Sequence, residues 1–145
     1  QEPFELGTTY YVDASQLTLV DHEYVREGLR RYIEPLGYDF QIRDRDDQPV
    51  DATIKDLPDS PGIKVVGLTS AAFKEILLLW NAGPEVVGHE FLHLVGVYDH
   101  VDETKYPGCH LMNAGLCLPM DKMTDVDFMM WENRTTRCEG NDLYR

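Results

Sequence analysis

Long hydrophobic runs are missing from this sequence. The longest, Ile76 to Trp80, is five residues, against the roughly 20 that a bilayer-spanning helix needs, so a soluble protein is expected. No charged opening followed by an apolar stretch starts the chain, and any export signal or pro-segment is expected to be already removed or never present. Basic residues are also scarce: 13 Lys and Arg against 26 Asp and Glu leave a formal net charge of −13. Such a field repels phosphate backbones and anionic membranes, which argues against nucleic acid and membrane surfaces as partners. The acids are dispersed rather than clustered, as suits the solubility of a secreted protein. Cysteine is rare too. Three are too few for a disulfide scaffold; Cys109 and Cys117 are near enough in sequence to close a short loop, and Cys138 is then left over. That odd thiol fits secretion poorly.

Repeats, low-complexity tracts and Ser/Gly linkers are absent, so nothing divides the chain. With 145 residues and 43% hydrophobic content, one core is expected over 1–145, because two would each be too small to fold comfortably. Thr8–Val12 is β-branched and aromatic and reads as a strand. Asp21 then caps a helix whose apolar residues Val25, Leu29, Tyr32, Ile33 and Leu36 keep a 3.6 period up to Gly37. Tyr38–Arg43, Ala52–Lys55, Ile63–Leu68 and Lys74–Trp80 are four further strand candidates between Asp-, Pro- and Gly-rich turns. A last helix is expected after Thr124, where Thr124 and Asp127 resemble a capping box and Met129, Met130 and Trp131 form its core face.

The informative helix starts at Pro84, a residue suited to a first turn. Val86, Val87, Phe91, Leu92, Leu94 and Val95 make most of its faces apolar, so its polar residues need a reason. Those residues read His89-Glu90-Phe91-Leu92-His93. Histidines four apart share one helical face, with Cβ atoms roughly 5–6 Å apart, and both imidazoles can reach one zinc ion at about 2.0–2.1 Å. Glu90 projects about 100° further round the helix, where it can serve a water as general base instead of binding the ion. Gly96 supplies the helix stop. A third ligand must come from the chain beyond it, which offers Asp99, His100, Asp102 and Glu103.

From His89 the sequence HEFLHLVGVYD resembles the extended metzincin pattern, whose third ligand stands three residues past the glycine. The resemblance makes Asp99 that ligand and leaves His100 one position off, as a neighbouring polar group. An aspartate there, followed by histidine, is similar to the snapalysins, small secreted metzincins. So is the stretch Pro107–Cys117, Pro-Gly-Cys-His-Leu-Met-Asn-Ala-Gly-Leu-Cys, in which two cysteines bracket a methionine turn. The resemblance implies that Met112 underlies the zinc site and that Cys109 and Cys117 form a disulfide. It also implies an α+β, metzincin-like (zincin) fold: a five-stranded mixed sheet with a backing helix and the active-site helix in an upper subdomain, 1–96. A small irregular lower subdomain, 97–145, would carry the final helix. Ile63–Leu68 becomes the antiparallel edge strand to which a substrate adds.

The activity implied is that of a secreted, monomeric zinc endopeptidase acting on proteins or peptides. The tyrosine that astacins and serralysins carry two residues after the turn methionine is here Ala114, so no tyrosine role is assigned. Asp44, Asp46 and Asp47 could help bind calcium, as in several metzincins, but read first as an acidic turn. His22 is expected to be exposed and His110 structural. Two alternatives stand: a zincin with a more distant carboxylate ligand, Glu103 or Glu132, and a zinc-stabilised binding module or inhibitor without turnover.

Overall fold

Alternation of buried residues organises the first strand. Val12 and Ala14 both face the core, and β1 accordingly runs on to Gln16 (Thr9–Gln16), past the expected end at Val12. The structure, a computed structural model, describes residues 3–115, 117 and 120–136 and the backbone of 143–144; Cys138 lies outside the described residues. β1 is parallel to β2 (Asp39–Ile42) on one side and to β3 (Ala52–Asp56) on the other. β3 pairs in parallel with β5 (Glu75–Leu78), and β4 (Gly67–Ser70) lies antiparallel on β5. The order β2-β1-β3-β5-β4 makes the expected five-stranded mixed sheet. Only the turn Ala71–Lys74 separates β4 from β5, and so short a link can only return the chain antiparallel.

Two sequence expectations change at this end of the sheet. The strand expected at Ile63–Leu68 forms at Gly67–Ser70, where Gly67, Thr69 and Ser70 are buried. It is not the last strand either, because the two-residue β6 (Leu143–Tyr144) pairs antiparallel with its outer side at Thr69 and Ser70.

The first helix, α1 (His22–Gly28), is capped by Asp21, whose side chain accepts from the Glu23 amide at 2.9 Å. It continues as a π turn, Leu29–Ile33, and a 3-10 turn, Glu34–Leu36, before Gly37 ends it at φ +103. Pro35 has no N–H to offer the carbonyl four residues back, so regular α geometry cannot persist there. The expected face Val25, Leu29, Tyr32, Ile33 and Leu36 is buried throughout. His22, expected to be exposed, is half-buried and donates from Nε2 to the Leu17 carbonyl at 2.7 Å.

Helix α2 (Pro84–Leu94) packs on α1 and against β4 and β5, and every residue from Val86 to Leu94 is buried. α3 (Asp125–Glu132) carries the expected capping box of Thr124 and Asp127. Its core face differs from expectation. Met130 and Trp131 are only half-buried against the core, Met129 lines an outer cavity, and the buried residue is Asp127. The result is a small α+β domain with three helices on one continuous apolar core that runs from Phe4 to Met123. No described helix is long and apolar enough to cross a membrane.

Candidate metal centre

His89 and His93 reach the same point because one helical turn separates them. Their Nε2 atoms stand 3.2 Å apart, and the rings meet edge to face with centroids 4.7 Å apart. Each ring is also held from behind: Nδ1 of His89 donates to the Leu111 carbonyl and Nδ1 of His93 to the Val97 carbonyl, both at 2.7 Å. A carbonyl can only accept, so both Nδ1 atoms carry the proton and both Nε2 atoms present a lone pair. Two lone pairs facing each other in a buried space repel unless a cation lies between them. Two ligands at about 2.0–2.1 Å in a tetrahedral shell stand about 3.3–3.4 Å apart, which matches the observed separation. Backing of each ligating imidazole by a carbonyl is likewise what metal sites use to fix ring orientation.

His100 joins this pair. The ligand atoms of His89, His93 and His100 lie within 4.8 Å of one another, and the His100 ring is 5.3 Å from that of His89 and 5.1 Å from that of His93. Burial, reinforced by His89, pushes the pKa of His100 down against the pull of Asp99, and a metal ligand must be a neutral imidazole. The three histidines are positioned to bind a metal ion.

Asp99, the ligand expected from the resemblance, does not join them. It is exposed and lines a cavity of about 470 Å³ with Gly96, Met129 and Arg134, to which none of the three imidazoles belongs. The reason lies in two anchors. Val97 is tied back to the helix through its amide to the Leu92 carbonyl at 2.9 Å, and Val101 to the methionine stretch through its amide to the Met112 carbonyl, also at 2.9 Å. Asp99 occupies the outer bend between the anchors, while His100 sits beside the second and turns inward. Glu103 and Glu132 are exposed and stand apart from the cluster. Asp46 and Asp47 lie on an exposed turn beside Arg43 and Arg45 and do not converge with Asp44 as the imidazoles do.

No family model and no curated protein matches the chain.

Gly96 makes the redirection after α2 possible. Its φ is +122, and a Cβ there would lie 2.2 Å from the Thr135 carbonyl oxygen, so both conformation and space demand glycine. Beyond it, Met112 is fully buried in a loop bracketed by the Cys109–Cys117 disulfide. His110, in the same loop, is buried and bonds Thr124 Oγ1 through Nδ1 at 2.6 Å, a structural contact.

Glu90 points from α2 towards β4. It is 2% exposed, and its Oε1 accepts from Thr69 Oγ1 at 2.8 Å. Burial pushes its pKa up to about 8, with the Thr69 hydroxyl pulling the other way. Gly67 faces the other oxygen: a Cβ there would stand 2.8 Å from Oε2. His89 and Glu90 open into one cavity of about 170 Å³, walled by residues 64–67 and by Ala114 and Gly115 after the methionine turn. Neither Thr69 nor Gly67 stands out in the sequence, because their importance comes only from β4 passing over Glu90.

Proposed function

We propose that the protein is a zinc-dependent endopeptidase, with the ion held by His89, His93 and His100 and with Glu90 as general base. One observation carries the reading: a buried carboxyl shares a cavity with an imidazole whose Nε2 converges with a second at 3.2 Å. A purely structural zinc site closes its shell with four protein ligands and has no use for such a carboxyl, whereas three ligands are what catalytic sites provide. The resemblance to metzincins, and among them to snapalysins, supports the same reading, with His100 standing in for Asp99.

Bound zinc supplies Lewis acidity that acidifies a water and polarises a carbonyl. Glu90 would take the proton of the attacking water and return it to the leaving amine nitrogen, a task for which the nearby cation would hold its carboxyl ionised against the upward push of burial. Thr69 fixes Oε1, so Oε2 is the oxygen left to meet water, in space that Gly67 keeps clear. Substrates are proteins or peptides. An extended peptide would lie along residues 64–67 at the cavity mouth, held by main-chain hydrogen bonds that tolerate many sequences. The disulfide suits an oxidising compartment, and we place the protein outside the cell, working as a monomer.

Mass-spectrometric profiling of cuts in a peptide library, with and without a chelator, tests this. Cuts are expected from the wild type alone and are lost with chelator and in Glu90→Ala. Cleavage that persists unchanged in Glu90→Ala overturns the mechanism. A wild type that binds zinc and cuts nothing makes the protein a zinc-stabilised binding module instead.

A further inference from the structure

The carboxylate of Asp127, in α3, is fully buried, and no Lys or Arg among the described residues pairs with it. Its contacts go well beyond capping a helix. Oδ2 accepts from the Thr124 amide at 2.9 Å, which completes the cap, but also from the Leu111 amide at 2.9 Å. Oδ1 accepts from the Met112 amide at 3.0 Å. The Met112 N–H and the Leu111 C=O belong to one peptide group, and that C=O is the acceptor for Nδ1–H of His89. A chain of hydrogen bonds therefore runs from a buried negative charge, across one peptide, to the back of an imidazole in the metal cluster.

We propose that Asp127 is a positioning residue for the metal centre, acting on His89 through the Leu111–Met112 peptide. The proposal rests on the reading of His89 as a ligand. A charge on the N–H end of an amide polarises it and makes its carbonyl a stronger acceptor, an effect that a low-dielectric interior enlarges. The stronger acceptor draws on the Nδ1 proton, and electron density shifts towards Nε2, the ligating atom. Metal proteins often place a carboxylate directly behind a ligating histidine; here a peptide group stands between them. The same bonds fix the Leu111 carbonyl in place, so the His89 ring cannot swing away from His93. A helix cap alone would not need Oδ1, nor full burial of the charge.

The test is Asp127→Asn in the full-length chain. It keeps the size and leaves an oxygen for the Met112 amide, but removes the charge and turns an NH2 towards the Thr124 and Leu111 amides, which lose their acceptor. Zinc affinity is read by competition with a chromophoric chelator, and the Nδ1 protons of His89 and His93 by NMR. Loss of a supporting group behind a ligand costs roughly 10–100-fold in affinity, and with a peptide intervening about tenfold is expected. The His89 Nδ1 proton should move upfield while that of His93 stays. Unchanged affinity with an unmoved His89 proton, alongside lower thermal stability, reduces Asp127 to a helix cap and overturns the proposal. Thr124→Val removes the cap hydroxyl, with its bond to Asp127 Oδ2 at 3.1 Å, but keeps the charge and its three amide donors; it should lower stability with little loss of zinc affinity, and weakening as large as in Asp127→Asn also overturns the proposal. If Asp127→Asn folds only with metal, the rate of zinc release to excess chelator replaces the affinity. A wild type that binds no zinc refutes the metal-centre reading itself, and the relay is then judged by the His89 proton in the metal-free protein.

Discussion

Replacing Glu90 by glutamine should stabilise the metal-free protein, and by an amount that depends on pH in a definite direction. The folded carboxyl titrates near 8 and the unfolded one at its ordinary 4.5. Between these values the folded state holds a proton that the unfolded state has released, so stability present at low pH is lost as pH rises towards 8. Relative to a side chain that never ionises, this costs about 1 kcal/mol at pH 5, about 3 kcal/mol at pH 7 and close to 5 kcal/mol above pH 9. Glutamine is nearly isosteric and still offers Thr69 Oγ1 an acceptor, so the comparison isolates the charge. Urea unfolding of both proteins in excess chelator, from pH 5 to 8, measures the gap. Thermal midpoints should show it too, widening by roughly 7 °C between pH 5 and 7 at about 3 °C per kcal/mol for a chain of this size. Zinc should narrow the gap, since a nearby cation favours the ionised carboxyl. Curves that stay parallel from pH 5 to 8 refute the claim that burial dominates the carboxyl.

The choice of third ligand is directly testable: His100→Ala should weaken zinc binding by at least about a hundredfold and Asp99→Ala by less than about twofold, by chelator competition. A reversed order restores the carboxylate ligand. Gly67→Ala places a Cβ 2.8 Å from Glu90 Oε2; peptide cleavage should fall by about tenfold or more and stability by about 1–3 kcal/mol, while zinc affinity is retained. Full activity in that variant means β4 does not crowd Glu90. Removing the Cys109–Cys117 bridge, with both residues changed to serine, opens a short loop and should cost about 2–3 kcal/mol in urea unfolding.

The spacing of His89 and His93 was legible because it is local: one helical turn dictates where two imidazoles meet, whatever the rest of the fold does. Gly96 was legible for the same reason, as a helix stop, although the Thr135 carbonyl that also forbids a side chain there comes from far along the chain. The parallel strands were legible from their β-branched and aromatic residues. β4 was misplaced because its buried positions are Gly67, Thr69 and Ser70, which carry little hydropathy, while the more apolar stretch before it forms no strand.

What separates Asp99 from His100 is harder. The two are adjacent, both chemically able to bind a metal, and the pattern of spacing favours Asp99, whereas it is His100 that lies with the other two imidazoles. The decision is made by the hydrogen bond from Val101 to the Met112 carbonyl, a contact with a segment whose own position depends on Asp127. The loop carrying Met112 thus reaches two of the three imidazoles by different routes: through Leu111 to His89 and through Val101 to His100. A motif on one helix can set the relation of His89, Glu90 and His93, because that relation follows from helical geometry. Which side chain joins the two histidines is decided by packing in the lower half of the chain, so a one-residue shift of the second anchor would bring a carboxylate there in place of the imidazole without altering α2.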